Sequence, residues 1–174
     1  MHHKPIQLKD LGLTYPHKIC FQDFSGEIHF GERIALIGRN GSGKSTLLKM
    51  LAGFCSASAG EIQMPQDVRF GYLPQVIEEC PELSGGQRLN QALTKILSVD
   101  PNVLLLDEPT NHLDRRNRRS LMRKLLHYPG TLVIASHDTE LINTVTDTLW
   151  HIDLGKITVF RGAYFDYQQM LEDK

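Results

Sequence analysis

Arg33-Ile34-Ala35-Leu36-Ile37-Gly38-Arg39-Asn40-Gly41-Ser42-Gly43-Lys44-Ser45-Thr46 is the stretch whose reading decides the fold. Residues 33–37 are an apolar run suited to a buried strand, and Lys44–Ala52 has helical spacing and stops at Gly53. Between them, Gly38–Ser45 follows the pattern G-x-x-x-x-G-K-[ST]. Glycines there let the backbone curl so that successive N–H groups point at phosphate oxygens, and the helix adds its positive N-terminal end. In such a loop Lys44 reaches the β- and γ-phosphates, and the Ser45 hydroxyl ligates Mg²⁺. The candidate nucleotide-binding residues are Gly38, Arg39, Asn40, Gly41, Ser42, Gly43, Lys44, Ser45 and Thr46. The four fixed positions arise by chance in on the order of one percent of chains. The bland alternative, a glycine-rich loop with no nucleotide, loses most of its weight to the strand before and the helix after.

Moving outward, short apolar runs alternate with helical patterns. Strands are predicted at Ile6–Tyr15, Glu61–Gln63, Val68–Tyr72, Val103–Leu106 and Thr131–Ala135, with a hairpin formed by Thr148–Asp153 and Lys156–Phe160. Helices are predicted at Gly85–Ser98, Arg115–His127, Asp138–Val145 and Tyr164–Glu172. Buried strands interleaved with helices predict an α/β fold, a mostly parallel core sheet flanked by helices, with an antiparallel β portion beside it. The strand Val103–Leu106 ends in Asp107 and Glu108. Asp107 at that strand end is suited to hold Mg²⁺ through water, and Glu108 to polarise a water near a γ-phosphate. A helix N-cap or a surface pair would look the same.

Composition bounds the rest. At roughly 100–200 residues per domain, 174 residues predict a single domain over 1–174. Apolar residues at 41% and charged residues at 22% suit a globular chain and not a disordered one. Nineteen basic against twenty acidic residues give a net charge of −1, which argues against whole-surface attraction to nucleic acid or anionic lipid while permitting a local basic patch. Cys20, Cys55 and Cys80 lack metal-ligand spacing and read as reduced thiols, the expectation for a cytoplasmic protein. No apolar run approaches the roughly 20 residues a spanning helix needs, so no direct membrane insertion is expected.

Further motifs stand in order along the chain. Leu83-Ser84-Gly85-Gly86-Gln87 is a pentapeptide foreign to P-loop kinases and GTPases. Gln75 closes Gly71-Tyr72-Leu73-Pro74-Gln75; Asn111-His112-Leu113-Asp114 follows Glu108; His137 lies in Ser136-His137-Asp138 after a strand. With the phosphate loop and the strand-end acids, these motifs make the sequence resemble the ATP-binding cassette family over nearly its whole length. The resemblance implies a P-loop NTPase that binds ATP and Mg²⁺ and hydrolyses ATP as a head-to-tail dimer, each nucleotide capped by the partner's signature. It implies catalytic roles for Glu108, His137, Lys44 and Gln75, metal ligation by Ser45, Gln75 and Asp107, and trans contacts from Ser84, Gly85, Gly86 and Gln87. It places Tyr15 where the family stacks an aromatic on adenine; Phe21 and Phe24 are alternatives by position, and Tyr15 as an ordinary exposed aromatic is another.

Asp107–Asp114 reads DEPTNHLD, and Trp150, Gly155-Lys156-Ile157 and Arg161-Gly162-Ala163-Tyr164 follow in order. These resemble the F subfamily, soluble tandem cassettes that act on ribosomes. Two features depart from it. The chain carries one cassette, which implies a homodimer or pairing with a second cassette. Only seven residues, Val76–Glu82, separate Gln75 from Leu83 where the family carries a helical subdomain, so that subdomain is expected to be nearly absent. Arg115, Arg116, Arg118, Arg119, Arg123 and Lys124 lie on one predicted helix and read either as an RNA or ribosome contact or as a solvated face. Two other functions fit the motifs: a transporter's nucleotide-binding subunit, and an ATP-binding switch with negligible turnover.

Overall fold

A computed structural model describes residues 4–75 and 85–173. The chain runs β1 (Ile6–Tyr15), β2 (Lys18–Ile28), β3 (Arg33–Gly38), α1 (Lys44–Ala52), β4 (Ala59–Gln63), β5 (Phe70–Leu73), α2 (Gly85–Leu97), β6 (Val103–Asp107), α3 (Arg115–His127), β7 (Thr131–Ala135), α4 (Thr139–Val145), β8 (Thr148–Asp153), β9 (Lys156–Arg161) and α5 (Tyr164–Glu172). Six strands form one sheet in the order β5-β6-β7-β3-β8-β9, parallel except for the β8–β9 hairpin. A second, antiparallel sheet has the order β2-β1-β4. The α/β fold expected from the alternating runs is the fold observed.

The strands β6 and β7 are buried at every residue, which is why they read as unbroken apolar runs. On one face, Leu47, Leu48 and Leu51 of α1 meet Leu105 and Val133 of the large sheet and Leu8, Leu11, Phe21 and Phe24 of the small one. Helix α1 is therefore held between two sheets. On the other face, Leu89 and Leu93 of α2, Leu121 and Leu125 of α3, and Leu141 of α4 cover Leu104, Leu106, Leu132 and Ile134. Tyr167 of α5 packs with Ala35, Ile37 and Leu149. Parallel strands deliver their C-terminal ends to one edge, and β3, β6 and β7 end there in Gly38, Asp107 and Ala135.

Strand β2 has no counterpart among the predicted strands. Its pairing with β1 shifts register three times, and Asp10 and Asp23 take positive φ. Each shift breaks the two-residue alternation that marks a half-buried strand. Asp138 is the N-cap of α4 rather than its first residue, its side chain accepting from the Leu141 amide at 3.1 Å. The expected near-absence of a helical subdomain falls on residues 76–84, outside the described residues, as do Cys80, Leu83 and Ser84 of the motifs.

Candidate nucleotide-binding and catalytic site

The loop Gly38–Gly43 crosses from β3 to α1 through conformations that only glycine takes cheaply. Gly43 has φ 106°, and a Cβ there would stand 2.9 Å from Leu13 Cδ2. The loop delivers Lys44, at 6% exposure, into the cleft. Its ammonium donates to the Gly38 carbonyl at 2.9 Å, lies 2.8 Å from His137 Nε2 and 3.9 Å from Glu108 Oε1. Burial pulls the Lys44 pKa below its ordinary value, against the opposing charges of Glu108 and Asp107.

The two strand-end acids face different surroundings. Glu108 leaves β6 in a left-handed conformation, φ 47°, with its N–H donating to the Ala135 carbonyl at 2.7 Å. Its carboxylate stands 3.5 Å from His137 Nε2. Burial raises the Glu108 pKa, partly offset by His137 and Lys44. Asp107 is buried, and its Oδ1 has no hydrogen-bond partner among the described residues. His137 is half exposed, and its Nε2 also lies 2.9 Å from Asn40 Oδ1.

A cleft of about 360 Å³ brings Tyr15, Asn40, Gly41, Gly43, Lys44, Ser45, Thr46, Gln75 and Glu108 together. A larger, open groove of about 770 Å³ near Lys4, Gln63 and Asp67 contains none of the motif residues. The Tyr15 hydroxyl bonds Thr46 Oγ1 at 3.0 Å, leaving the ring half exposed at the mouth. Phe21 and Phe24 are buried in the core, Phe24 packing edge-on to Trp150, so neither reaches the cleft. Lys18, which the sequence motifs did not single out, donates to the Gly41 carbonyl at 2.5 Å and adds a cation beside the loop. Its only sequence signal is its place three residues after Tyr15.

The residues fit Mg²⁺. No cluster of three His, Cys, Asp or Glu side chains is present among the described residues. Mg²⁺ does not require one, because it takes one or two carboxylates plus waters and substrate phosphates. The unpartnered Asp107 Oδ1, with Ser45 and Gln75 on the cleft wall, offers that kind of donor set.

Gly85 and Gly86 begin α2 against the chain's own Asn111–Asp114 turn and α3. A Cβ on Gly85 would stand 2.8 Å from the His112 carbonyl oxygen, and one on Gly86 2.3 Å from Asn117 Nδ2. Gln87 lies on the exposed side of α2. Of the basic residues on α3, Arg118 forms a two-pronged bond to Asp138 at 3.0 and 2.9 Å, and Lys124 donates to Asn90 Oδ1 at 2.7 Å. Arg115, Arg116, Arg119 and Arg123 have no ion-pair partner among the described residues, and all four are exposed. Helical geometry puts these four on one side of α3, away from buried Leu121 and Leu125.

Fold and site together define a P-loop nucleotide-binding protein. The family model described as "ABC transporter" matches residues 21–76. The probable ATP-binding protein YheS of Escherichia coli K12 is 32% identical over 97% of this chain and 33% of its own length. The ribosome protection protein VmlR of Bacillus subtilis is 29% identical over 97% of this chain and 35% of its own. ABC transporter F family member 3 of Arabidopsis thaliana is 30% identical over 96% of this chain and 29% of its own. The chain thus spans about a third of the length of these relatives. A nucleotide-free ATP-binding cassette from an ABC transporter superposes with a TM-score of 0.82 at 17% identity, covering 98% of this chain and 96% of that one. The chain belongs to the ATP-binding cassette family and is similar to cassettes of its F subfamily. No helix among the described residues is long and apolar enough to cross a membrane.

Proposed function

We propose that the chain binds Mg-ATP and hydrolyses it to ADP and phosphate in a head-to-tail nucleotide sandwich with a second copy or a second cassette. A single domain over residues 1–174, working in the cytoplasm in an F-like role, completes the reading. The observation that carries it is the convergence of Lys44, Glu108 and His137 within 4 Å of one another beside a phosphate loop. Tyr15 stacks on the base, and the amides of Gly38–Thr46 take the phosphates. Lys44 bridges the β- and γ-phosphates. Ser45, Gln75 and Asp107 hold Mg²⁺, which supplies charge neutralisation on the phosphates. Glu108 orients a water for in-line attack on the γ-phosphorus and accepts its proton as the bond to ADP breaks. His137 contacts the γ-phosphate, and Ser84–Gln87 of the second cassette caps it. Catalysis of this kind is mostly positioning and charge stabilisation. The test is Glu108→Gln with Mg-ATP, followed by analytical ultracentrifugation. An ATP-dependent dimer is expected, and a variant that stays monomeric at saturating ATP overturns the sandwich.

A second reading, an ATP-dependent switch with negligible turnover, draws on the seven-residue segment before Leu83 and on the packing of Gly85 against the chain's own His112. Turnover that needs Glu108 and rises with the square of protein concentration excludes it. For a partner we propose RNA phosphates, as on a ribosome, met by Arg115, Arg116, Arg119 and Arg123. The support is their exposure without ion pairs and the name of the relative VmlR. Replacing Arg119 and Arg123 by Glu would lower RNA affinity and flatten its salt dependence. An unchanged slope removes the RNA proposal.

A further inference from the structure

Three buried side-chain oxygens lack a hydrogen-bond partner among the described residues: Ser42 Oγ in the phosphate loop, and the Tyr72 hydroxyl and Asp107 Oδ1 on adjacent strands. Topology makes the last two neighbours. Tyr72 pairs with Leu105 in the parallel β5–β6 ladder, and Asp107 stands two residues beyond Leu105. Side chains alternate along a strand, so Tyr72, Leu105 and Asp107 share the sheet face that α1 covers. An aromatic side chain reaches its diagonal neighbour on one face of a sheet. The Tyr72 ring is steadied by Phe54, edge-on with centroids 5.3 Å apart. Burial first, and the Asp107 charge second, raise the phenol pKa, so the hydroxyl keeps its proton and remains a donor beside an acceptor.

Unpaired polar atoms in a protein interior are costly, and two of them on one face ask for a common explanation. The loop motifs account for Asp107 but leave Tyr72 without a role. We propose that Tyr72 is a positioning residue for the cation-binding carboxylate: when Mg-ATP occupies the cleft, its hydroxyl donates to Asp107 Oδ1, directly or through one water, and fixes the carboxylate's rotation. Three residues further along the same segment, Gln75 reaches the cleft wall, so one strand end supplies both a wall residue and the anchor of a ligand. The inference rests on the Mg-ATP reading given above.

The test is isothermal titration of the full chain with ATP, in EDTA and in Mg²⁺, for the parent, Tyr72→Phe, Asp107→Asn and the double variant. Tyr72→Phe keeps the ring. We expect its affinity for metal-free ATP to match the parent and its Mg²⁺-dependent gain in affinity to fall about tenfold or more, the usual effect of losing a group that orients a metal ligand. The melting temperature without nucleotide should not fall, because an unpaired buried hydroxyl has been removed. Added to Asp107→Asn, Tyr72→Phe should cost nothing more. A parental Mg²⁺ gain in Tyr72→Phe, or additive losses in the double variant, overturns the proposal. A parent that binds ATP with no Mg²⁺ gain, or does not bind it, overturns the reading of the site and this inference with it.

Discussion

The Lys44 ammonium and His137 Nε2, 93 residues apart in sequence, stand 2.8 Å from each other. An ammonium only donates, so in this contact Nε2 offers its lone pair and the ring proton sits on Nδ1. The alternative tautomer donates from Nε2 to Asn40 Oδ1 at 2.9 Å. The two arrangements exclude each other. A phosphate that engages Lys44 takes its donors away from His137 and frees Nε2 to carry a proton and donate.

Lys44→Ala and His137→Ala should therefore part company. Loss of Lys44 removes a charge-assisted contact that contributes about 1.5–3 kcal/mol, so ATP affinity should fall on the order of tenfold or more. Loss of His137 releases Lys44 from a competitor, so ATP affinity should hold or rise, while turnover falls on the order of a hundredfold with the loss of a donor near the γ-phosphate. Calorimetry and phosphate release separate the two. Equal losses of affinity would mean that the contact of His137 with the γ-phosphate outweighs its competition for Lys44.

Glu108 should reveal itself through pH. Its folded pKa is raised by burial above the unfolded value. Such a group contributes stability that is fully present below the unfolded pKa and is lost as pH rises through the folded one. Glu108→Gln removes that loss, so its melting temperature relative to the parent should climb from acidic to neutral pH and then level off. For a chain of this size each kcal/mol corresponds to about 2–4 °C. A difference that does not change with pH would mean that Glu108 titrates as it does in the unfolded chain. Turnover in the parent should show an acid limb above the ordinary carboxylate range, because the base must be ionised.

Asp138 behaves in the opposite sense. Burial pushes its carboxyl up, but the Leu141 amide, Arg118 and Thr110 outweigh that and hold it below the ordinary value. Its stabilisation is present above the unfolded pKa and is lost as pH falls through the folded pKa. Asp138→Ala removes an N-cap worth about 0.5–2 kcal/mol together with the Arg118 contact. Urea unfolding should show the full deficit at neutral pH and a shrinking one on acidification. A constant deficit would assign the effect to packing alone.

Gly85→Ala tests the junction of α2 with the Asn111–Asp114 turn. Its Cβ would meet the His112 carbonyl oxygen at 2.8 Å, and backbone cannot step aside as a flexible side chain can. The cleft lies elsewhere, so ATP affinity should stay within about twofold, while ATP-dependent dimerisation and turnover fall with the displaced helix start. Intact dimerisation would show that the turn yields.

Most of this was legible in sequence because it is local. A strand, a glycine-rich loop and a helix must follow one another to make a phosphate cradle, and the runs 103–106 and 131–135 are buried on both faces, so alternation was not needed to see them. Strand β2 was hidden because its bulges place Cys20, Phe21, Phe24 and Ile28 inward at irregular intervals. The six basic residues of α3 look alike in sequence, but Arg118 and Lys124 are tied down by Asp138 and Asn90, which come from other elements and which no pattern on α3 reveals. The contact between Lys44 and His137, and the neighbouring orphans Tyr72 and Asp107, depend on strand order, which no local pattern encodes.

His112 carries a final consequence. Its backbone takes φ 63°, a conformation that costs an L-residue about 1–2 kcal/mol and glycine nothing. A glycine at 112 would follow the same path through the turn and lighten the fold's burden. The position thus separates two questions that a sequence motif merges. The route of the main chain is common property, compatible with either residue. The exposed imidazole is an addition to it, carried at a cost to the backbone, so what the side chain contributes is displayed to solvent rather than built into the turn.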